Sequence, residues 1–291
     1  MYKAISANKR NTIFIMIVFV GLISAIGWIV GYLYDDISIT YIVIVIAAIY
    51  ALIQYFAASR LAVMMTGAKQ IEKRDNPRFY RIVENLSITT GLPLPKVYII
   101  DDPAPNAFAT GRDPQHAIVA ATTGLINIMD DRELEAVMAH EMGHVKNYDI
   151  RLSMITFGLV SAIGFLTDIV LRIFIYGDRD SDNNSPIAVA IGIVAIVLAP
   201  IIAVIIQMAV SRQREYLADA TSVMTTRDTD SMVSALEKLK NQGQPMKKQS
   251  SASSHLFITN PLKKSFMSKM FSTHPPLEDR IARLRGNEGK F

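Results

Sequence analysis

Asp130 to Asn147 reads DDRELEAVMAHEMGHVKN, and His140-Glu141-Met142-Gly143-His144 within it decides how the rest of the chain is read. Residues four apart on an α-helix project from one face about one turn apart, so both imidazoles reach a single metal ion. Glu141 stands between them, placed to take a proton from the water that such an ion activates. The segment is helical on its own terms. Asp130 is a good N-cap with Glu133 at capping-box spacing, and Asn147 stands near a natural end. A helix with two surface histidines is the bland alternative, so the motif needs support from elsewhere.

Of the 291 residues, 51% are hydrophobic, high for a soluble chain of this size. The apolar content is concentrated. Asn11 to Tyr34 holds no charge over 24 positions, Ile37 to Ser59 none over 23, and Asn183 to Ser211 none over 29. Each exceeds the roughly 20 residues a hydrocarbon core requires. Leu152 to Thr167 is a weaker fourth stretch. The first is too long for a signal-peptide core, and a second span follows it at once, so it reads as a retained anchor. With no cysteine, disulfides and thiolate metal sites are excluded. The net charge of +4 is modest and much of the basic charge flanks the spans, so no nucleic-acid footprint is seen.

Charge bias orients the chain. Lys3, Lys9 and Arg10 precede the first span, and Arg60, Lys69, Lys73, Arg74, Arg78 and Arg81 follow the second. The loops holding Asp35 and Asp36, and Asp178, Asp180 and Asp182, are mainly acidic. The basic side faces the cytoplasm. Both termini and the motif helix are therefore expected there. Residues 60–91 read as mostly helical, interrupted at Asn76-Pro77 and closed by Gly91. Lys96 to Ile100, Asn106 to Thr110 and Ala117 to Ala121 are strand-like runs forming a small sheet before the motif helix. Asp228 to Asn241 reads as a capped helix, Gly243 to Ser254 as a mobile polar linker, and Ser272 to Arg285 as a turn and helix.

A catalytic zinc takes three protein ligands and leaves one position open. Glu215, in Ser211 to Ala220 (SRQREYLADA), is the main candidate for the third, with Asp219 four residues on, on the same helical face. A solvated helix face explains the same spacing. Asp149 is a rival, but five residues beyond His144 it falls on another face of that helix. His116 and His255 read as surface residues. His274 sits in a Thr-His-Pro-Pro turn, which holds a ring rigidly and can aim an N–H at a developing oxyanion; a structural turn is the other reading.

Together these segments resemble the HtpX-type membrane zinc metalloproteases, bacterial relatives of the CAAX prenyl endopeptidases. The likeness covers nearly the whole chain: two N-terminal spans, Asn106 to Ala109 (NAFA), His140 to Asp149 (HEMGHVKNYD), a second hydrophobic pair, Ser211 to Ala220 and Thr273 to Ile281 (THPPLEDRI). The resemblance implies Glu215 as the third zinc ligand and Asp219 as the partner of His140. It further implies His274 as a transition-state donor assisted by Arg280, and Asn106, Ala107 and Phe108 as the edge that aligns an extended substrate.

The expected fold is a mainly α integral membrane protein with four hydrophobic spans and a cytoplasmic α+β zincin domain, gluzincin-like in its ligand set. The expected segments are a two-span anchor (1–59), the first part of the zincin domain (60–151), a second hydrophobic hairpin (152–211) and the remainder of the zincin domain (212–291). The expected activity is endopeptidase cleavage of membrane proteins, in quality control of misfolded ones, with one Zn2+ per chain. The partners are membrane-protein substrates and the lipid bilayer, with the catalytic domain on the cytoplasmic face of the plasma membrane. Self-cleavage in the 243–254 linker is expected in crowded preparations. Two other classes remain: an intramembrane protease, opposed by the charges at Asp130 to Glu135, and a zinc-binding scaffold, opposed by the intact Glu141.

Overall fold

The structure is a computed structural model that describes residues 2–33, 35–156, 158–159, 162, 212–248, 256–259 and 275–287. These fall into two compact units, one drawn from the ranges 1–9, 59–154 and 210–291, the other from 10–58 and 155–209. Eight residues of the expected third stretch, Leu152 to Thr167, are described, and the fourth, Asn183 to Ser211, lies outside the described residues.

The 10–58 part of the second unit lies on two long helices, α1 (Tyr2–Leu33) and α2 (Ile37–Thr66), whose outer ends belong to the first unit. Both are long and apolar enough to cross a membrane, over Ile5–Tyr32 and Ile37–Ala57. Many of their large apolar side chains point outward (Ile17 is 64% exposed, Tyr41 64% and Phe56 60%), while Ile15 and Phe19 are buried. Such a surface suits hydrocarbon and not water. The helices meet at Gly27, where a Cβ would stand 2.7 Å from Val43 Cβ, and Thr40 Oγ1 donates to the Gly27 carbonyl. Small residues let apolar helices approach in this way.

The first unit is built on a four-stranded sheet of β1 (Lys69–Gln70), β2 (Lys96–Ile100), β3 (Ala107–Thr110) and β4 (Ile118–Thr122), ordered β1-β2-β4-β3. β2 and β4 run parallel with Val97 opposite Val119, while β3 is antiparallel to β4 with Phe108 opposite Ala120. All five residues of β4 are buried, as a central strand requires. The three expected strands are present to within a residue.

The expected helical reading of 60–91 holds, with the interruption at Asn76-Pro77 and the close at Gly91, but the break between the two helical pieces is longer than expected. Gly67 takes φ 72° after α2, β1 follows, and α3 (Pro77–Thr90) starts afresh, with the Asn76 side chain accepting from Phe79 N–H. Asn76-Pro77 and Gly91 punctuate the chain as expected, whereas the Gly67 turn and the two-residue β1 leave no mark on a helical pattern. Then come α4 (Thr123–Ile128), α5 (Asp131–Lys146), α6 (Arg212–Thr226), α7 (Thr229–Gln242) and α8 (Leu277–Gly286). Leu134, Met138 and Met142 of α5 are fully buried in the same core as Phe79, Val97 and Leu236. Burial of each such side chain contributes about 1.5–3 kcal/mol, so α5 is held from every side.

Candidate metal centre

The centre is made by packing α6 on α5. Asp130 and Glu133 form the capping box that starts α5, with Glu133 N–H donating to Asp130 Oδ1 at 2.9 Å and Asp130 N–H to Glu133 Oε2 at 2.8 Å. Glu133 also takes bonds from Ser234 and Lys238 of α7, so burial, which alone would raise it, is outweighed and its pKa is lowered. Close approach of α6 needs Gly143, because a Cβ there would lie 3.3 Å from Thr221 Cβ. Ser222 Oγ then donates to the Ala136 carbonyl at 2.6 Å. This register sets Glu215 opposite the histidine pair.

His140 Nε2 and His144 Nε2 lie 3.2 Å apart, and they stand 3.7 and 3.6 Å from Glu215 Oε2 and Oε1. Ligands about 2.0–2.2 Å from a tetrahedral ion are about 3.3–3.6 Å from each other. Each histidine nitrogen is near that distance from one oxygen of Glu215, and one donor atom from each residue lies within 4.8 Å of the others, a set that a zinc-sized cation can draw together. Among the described residues this trio is the group of His, Asp and Glu whose donor atoms gather closely enough to hold a metal. Two neutral imidazoles and one carboxylate are also the donor set of a hydrolytic zinc. Glu141, 2% exposed, follows His140 on α5, and its charge acts on both His144 and Arg280.

Each histidine has a carboxylate behind it. His140 Nδ1–H donates to Asp219 Oδ1 at 2.9 Å, and His144 Nδ1–H to Asp149 Oδ2 at 3.0 Å. Both bonds hold a proton on Nδ1, so Nε2 is the atom each ring presents to a cation. The sequence reading expected Asp149 on another face of the same helix, and this is corrected. α5 stops at Lys146, Asn147 caps it, and Tyr148 takes φ 61°, so the chain folds back and returns Asp149 to His144. The available signal was Asn147, a residue that favours helix ends.

Arg280, expected to assist His274 in binding the substrate, is 0% exposed and pairs with Asp219 through both Nε and Nη2. It therefore holds the carboxylate that holds His140. Asn106, Ala107 and Phe108 are also buried, and their edge is not open. Ile258 N–H donates to the Ala107 carbonyl, Phe257 bridges Phe108, and the Asn106 amide exchanges bonds with Thr259. A sequence shows an edge strand but not the segment that covers it. His116 is a surface residue bonded to Asp113, as expected, while His255 and His274 lie outside the described residues.

Charge divides the pair. In the metal-free protein, burial and then the Arg280 charge hold His140 down to about 4, against the pull of Asp219. Burial also opposes charge on His144, but the Asp149 bond and the carboxylates of Glu215 and Glu141 outweigh it and raise that ring to about 9. Burial would raise Asp219 too, yet the Arg280 guanidinium and the His140 bond keep its carboxyl below the usual range. One positive ring faces one neutral ring.

Residues 73–288 match peptidase family M48. The chain is 55% identical to a Protease HtpX homolog of Tropheryma whipplei strain TW08/27, covering 100% of both. It is 41% identical over 294 residues to a Protease HtpX homolog of Streptococcus gordonii, covering 98% of this chain and 99% of that one. The crystal structure of S. mikatae Ste24p shares the fold, with a TM-score of 0.53, 19% identity, and coverage of 98% of this chain and 67% of that one.

Proposed function

The chain belongs to peptidase family M48 and is a metalloprotease, and from that premise we propose a zinc-dependent endopeptidase that cleaves membrane proteins on their cytoplasmic side. The observation that carries this reading is the convergence of His140, His144 and Glu215, each histidine oriented by its own carboxylate, with Glu141 beside them. His140, His144 and Glu215 would hold the ion. When bound, zinc supplies Lewis-acid polarisation of the attacking water and of the scissile carbonyl. Glu141 takes the water's proton on its carboxylate and later passes it to the leaving amine. Asp219 and Asp149 keep both rings in the required tautomer, and Arg280 keeps Asp219 ionised. His274, by family resemblance, donates an N–H to the oxyanion.

Two further features support the substrate and the location. α1 and α2 present apolar surfaces suited to a bilayer, and the basic residues before the first and after the second favour the cytoplasm for the zincin domain. On this reading the enzyme resides in the plasma membrane as a four-span protein and removes misfolded membrane proteins. The test uses purified protein in liposomes and one unfolded segment in two forms, tethered to a span by a short linker or free. Chelator-sensitive cleavage that favours the tethered form is expected. Equal rates at matched concentration would overturn the membrane-proximal role, and chelator-insensitive cleavage would overturn the zinc mechanism.

A further inference from the structure

We propose that Asn8, on the first turns of α1, is a positioning residue for the metal centre that acts on His144 through Asp149. The Asn8 side chain is buried, and its amide makes two bonds across the fold. Nδ2 donates to Asp149 Oδ1 at 2.6 Å and to the Asn147 carbonyl at 2.9 Å. An amide nitrogen has two hydrogens, and two acceptors meet them. The other oxygen of the same carboxylate, Asp149 Oδ2, takes the His144 Nδ1–H at 3.0 Å. One carboxylate thus bridges an N-terminal residue and a metal ligand.

The segment that carries Asp149 needs such a hold. Tyr148 sits at φ 61°, a region that bulky residues rarely enter without compensation from their surroundings. Three groups grip that turn. Asn8 bonds Asn147 and Asp149, Lys9 Nζ lies 4.4 Å from the Tyr148 ring centroid, and the Arg151 guanidinium lies 4.9 Å from it. The Asn8 amide also has the right chemistry. As a neutral donor it orients Asp149 without cancelling the charge that His144 draws on. Arg214 Nη1, the cation on the same oxygen, stands off at 4.0 Å. The centre is thereby completed by a residue 141 positions upstream of Asp149, just before the first charge-free stretch.

The inference rests on the zinc reading of the site, and the test separates the two. Full-length protein in detergent is titrated with zinc against a chromophoric chelator at fixed pH, as parent, Asn8→Ala, Asp149→Ala and the double variant. Asn8→Ala should weaken zinc about tenfold, at the low end of the range for groups that orient metal ligands. The double variant should bind no worse than Asp149→Ala, because the bridge is then already gone. Melting of the metal-free forms accompanies each titration. A merely structural Asn8 would lower the melting temperature and leave zinc affinity at the parental value, which overturns the inference. Additive losses in the double variant overturn it as well. Asn8→Leu, nearly the same shape but without a donor, serves if Asn8→Ala does not fold, and parental affinity there has the same consequence. A parent chain that binds no zinc overturns both readings.

Discussion

Arg280 and Asp219 form a two-pronged ion pair that is closed to solvent, with Nε donating to Oδ2 at 2.8 Å and Nη2 to Oδ1 at 2.5 Å. Arg280 is 0% exposed and Asp219 2%. Two buried charges are tolerated only because each answers the other. Asp219 Oδ1 also accepts the His140 Nδ1–H, so the pair is continuous with the metal ligand.

Removing one half of that pair should cost more than removing both. Arg280→Ala leaves a buried carboxylate without its cation, a change typically worth about 3–5 kcal/mol. The Asp219→Ala/Arg280→Ala variant should regain part of that loss. Urea unfolding in detergent with chelator present measures stability without metal linkage. An Arg280→Ala protein as stable as the parent would show that the pair contributes little.

Glu141→Gln and Glu215→Ala should fail in different ways. In Glu141→Gln the carboxylate becomes an amide that cannot accept a proton, so cleavage should fall by about 10²–10⁴-fold while zinc is retained. Glu215→Ala removes a ligand and should lose bound metal together with activity. Elemental analysis beside a cleavage assay distinguishes them. Full zinc occupancy in Glu215→Ala would send the search for a third ligand elsewhere.

Corrected for the proton that His144 gives up, the two outer carboxylates should behave alike. Asp219→Asn and Asp149→Asn each keep the side-chain shape but disturb one histidine's tautomer, so each should weaken zinc by about 10–100-fold and abolish it in neither case. Competition with a chelator reads both. Unchanged affinity in Asp149→Asn would reduce its bond to His144 to a helix-end contact.

These carboxylates also mark where sequence stops being informative. His140, Glu141 and His144 were legible because a motif on one helix fixes its own geometry through the helical repeat. The strands around Val97 and Val119 were legible from their apolar runs. Asp149 was not, because a single left-handed residue, Tyr148, breaks the periodicity that placed it on the wrong face. Arg280 was misplaced for another reason. Its partner Asp219 lies 61 positions away, and no local pattern tells a buried arginine from one facing substrate. Asn8 carried no signal at all, since an isolated asparagine near a span ordinarily faces water.

Zinc binding should compete with one proton. In the metal-free protein His144 is raised to about 9, whereas His140 is lowered to about 4. At neutral pH His144 therefore carries a proton on the Nε2 that a cation needs, and His140 Nε2 is free. Binding must release that proton, so affinity falls as pH falls below the His144 value. Each pH unit between about 5 and 8 should change it tenfold, making zinc about 100-fold weaker at pH 6 than at pH 8. Titration calorimetry near neutral pH, in two buffers of different ionisation enthalpy, should count one proton released per zinc. Asp149→Asn should flatten the slope, because losing that carboxylate lets burial lower His144 toward neutrality. Zinc affinity independent of pH in the parent would mean that His144 is already neutral, and the division of charge between the two rings would be wrong.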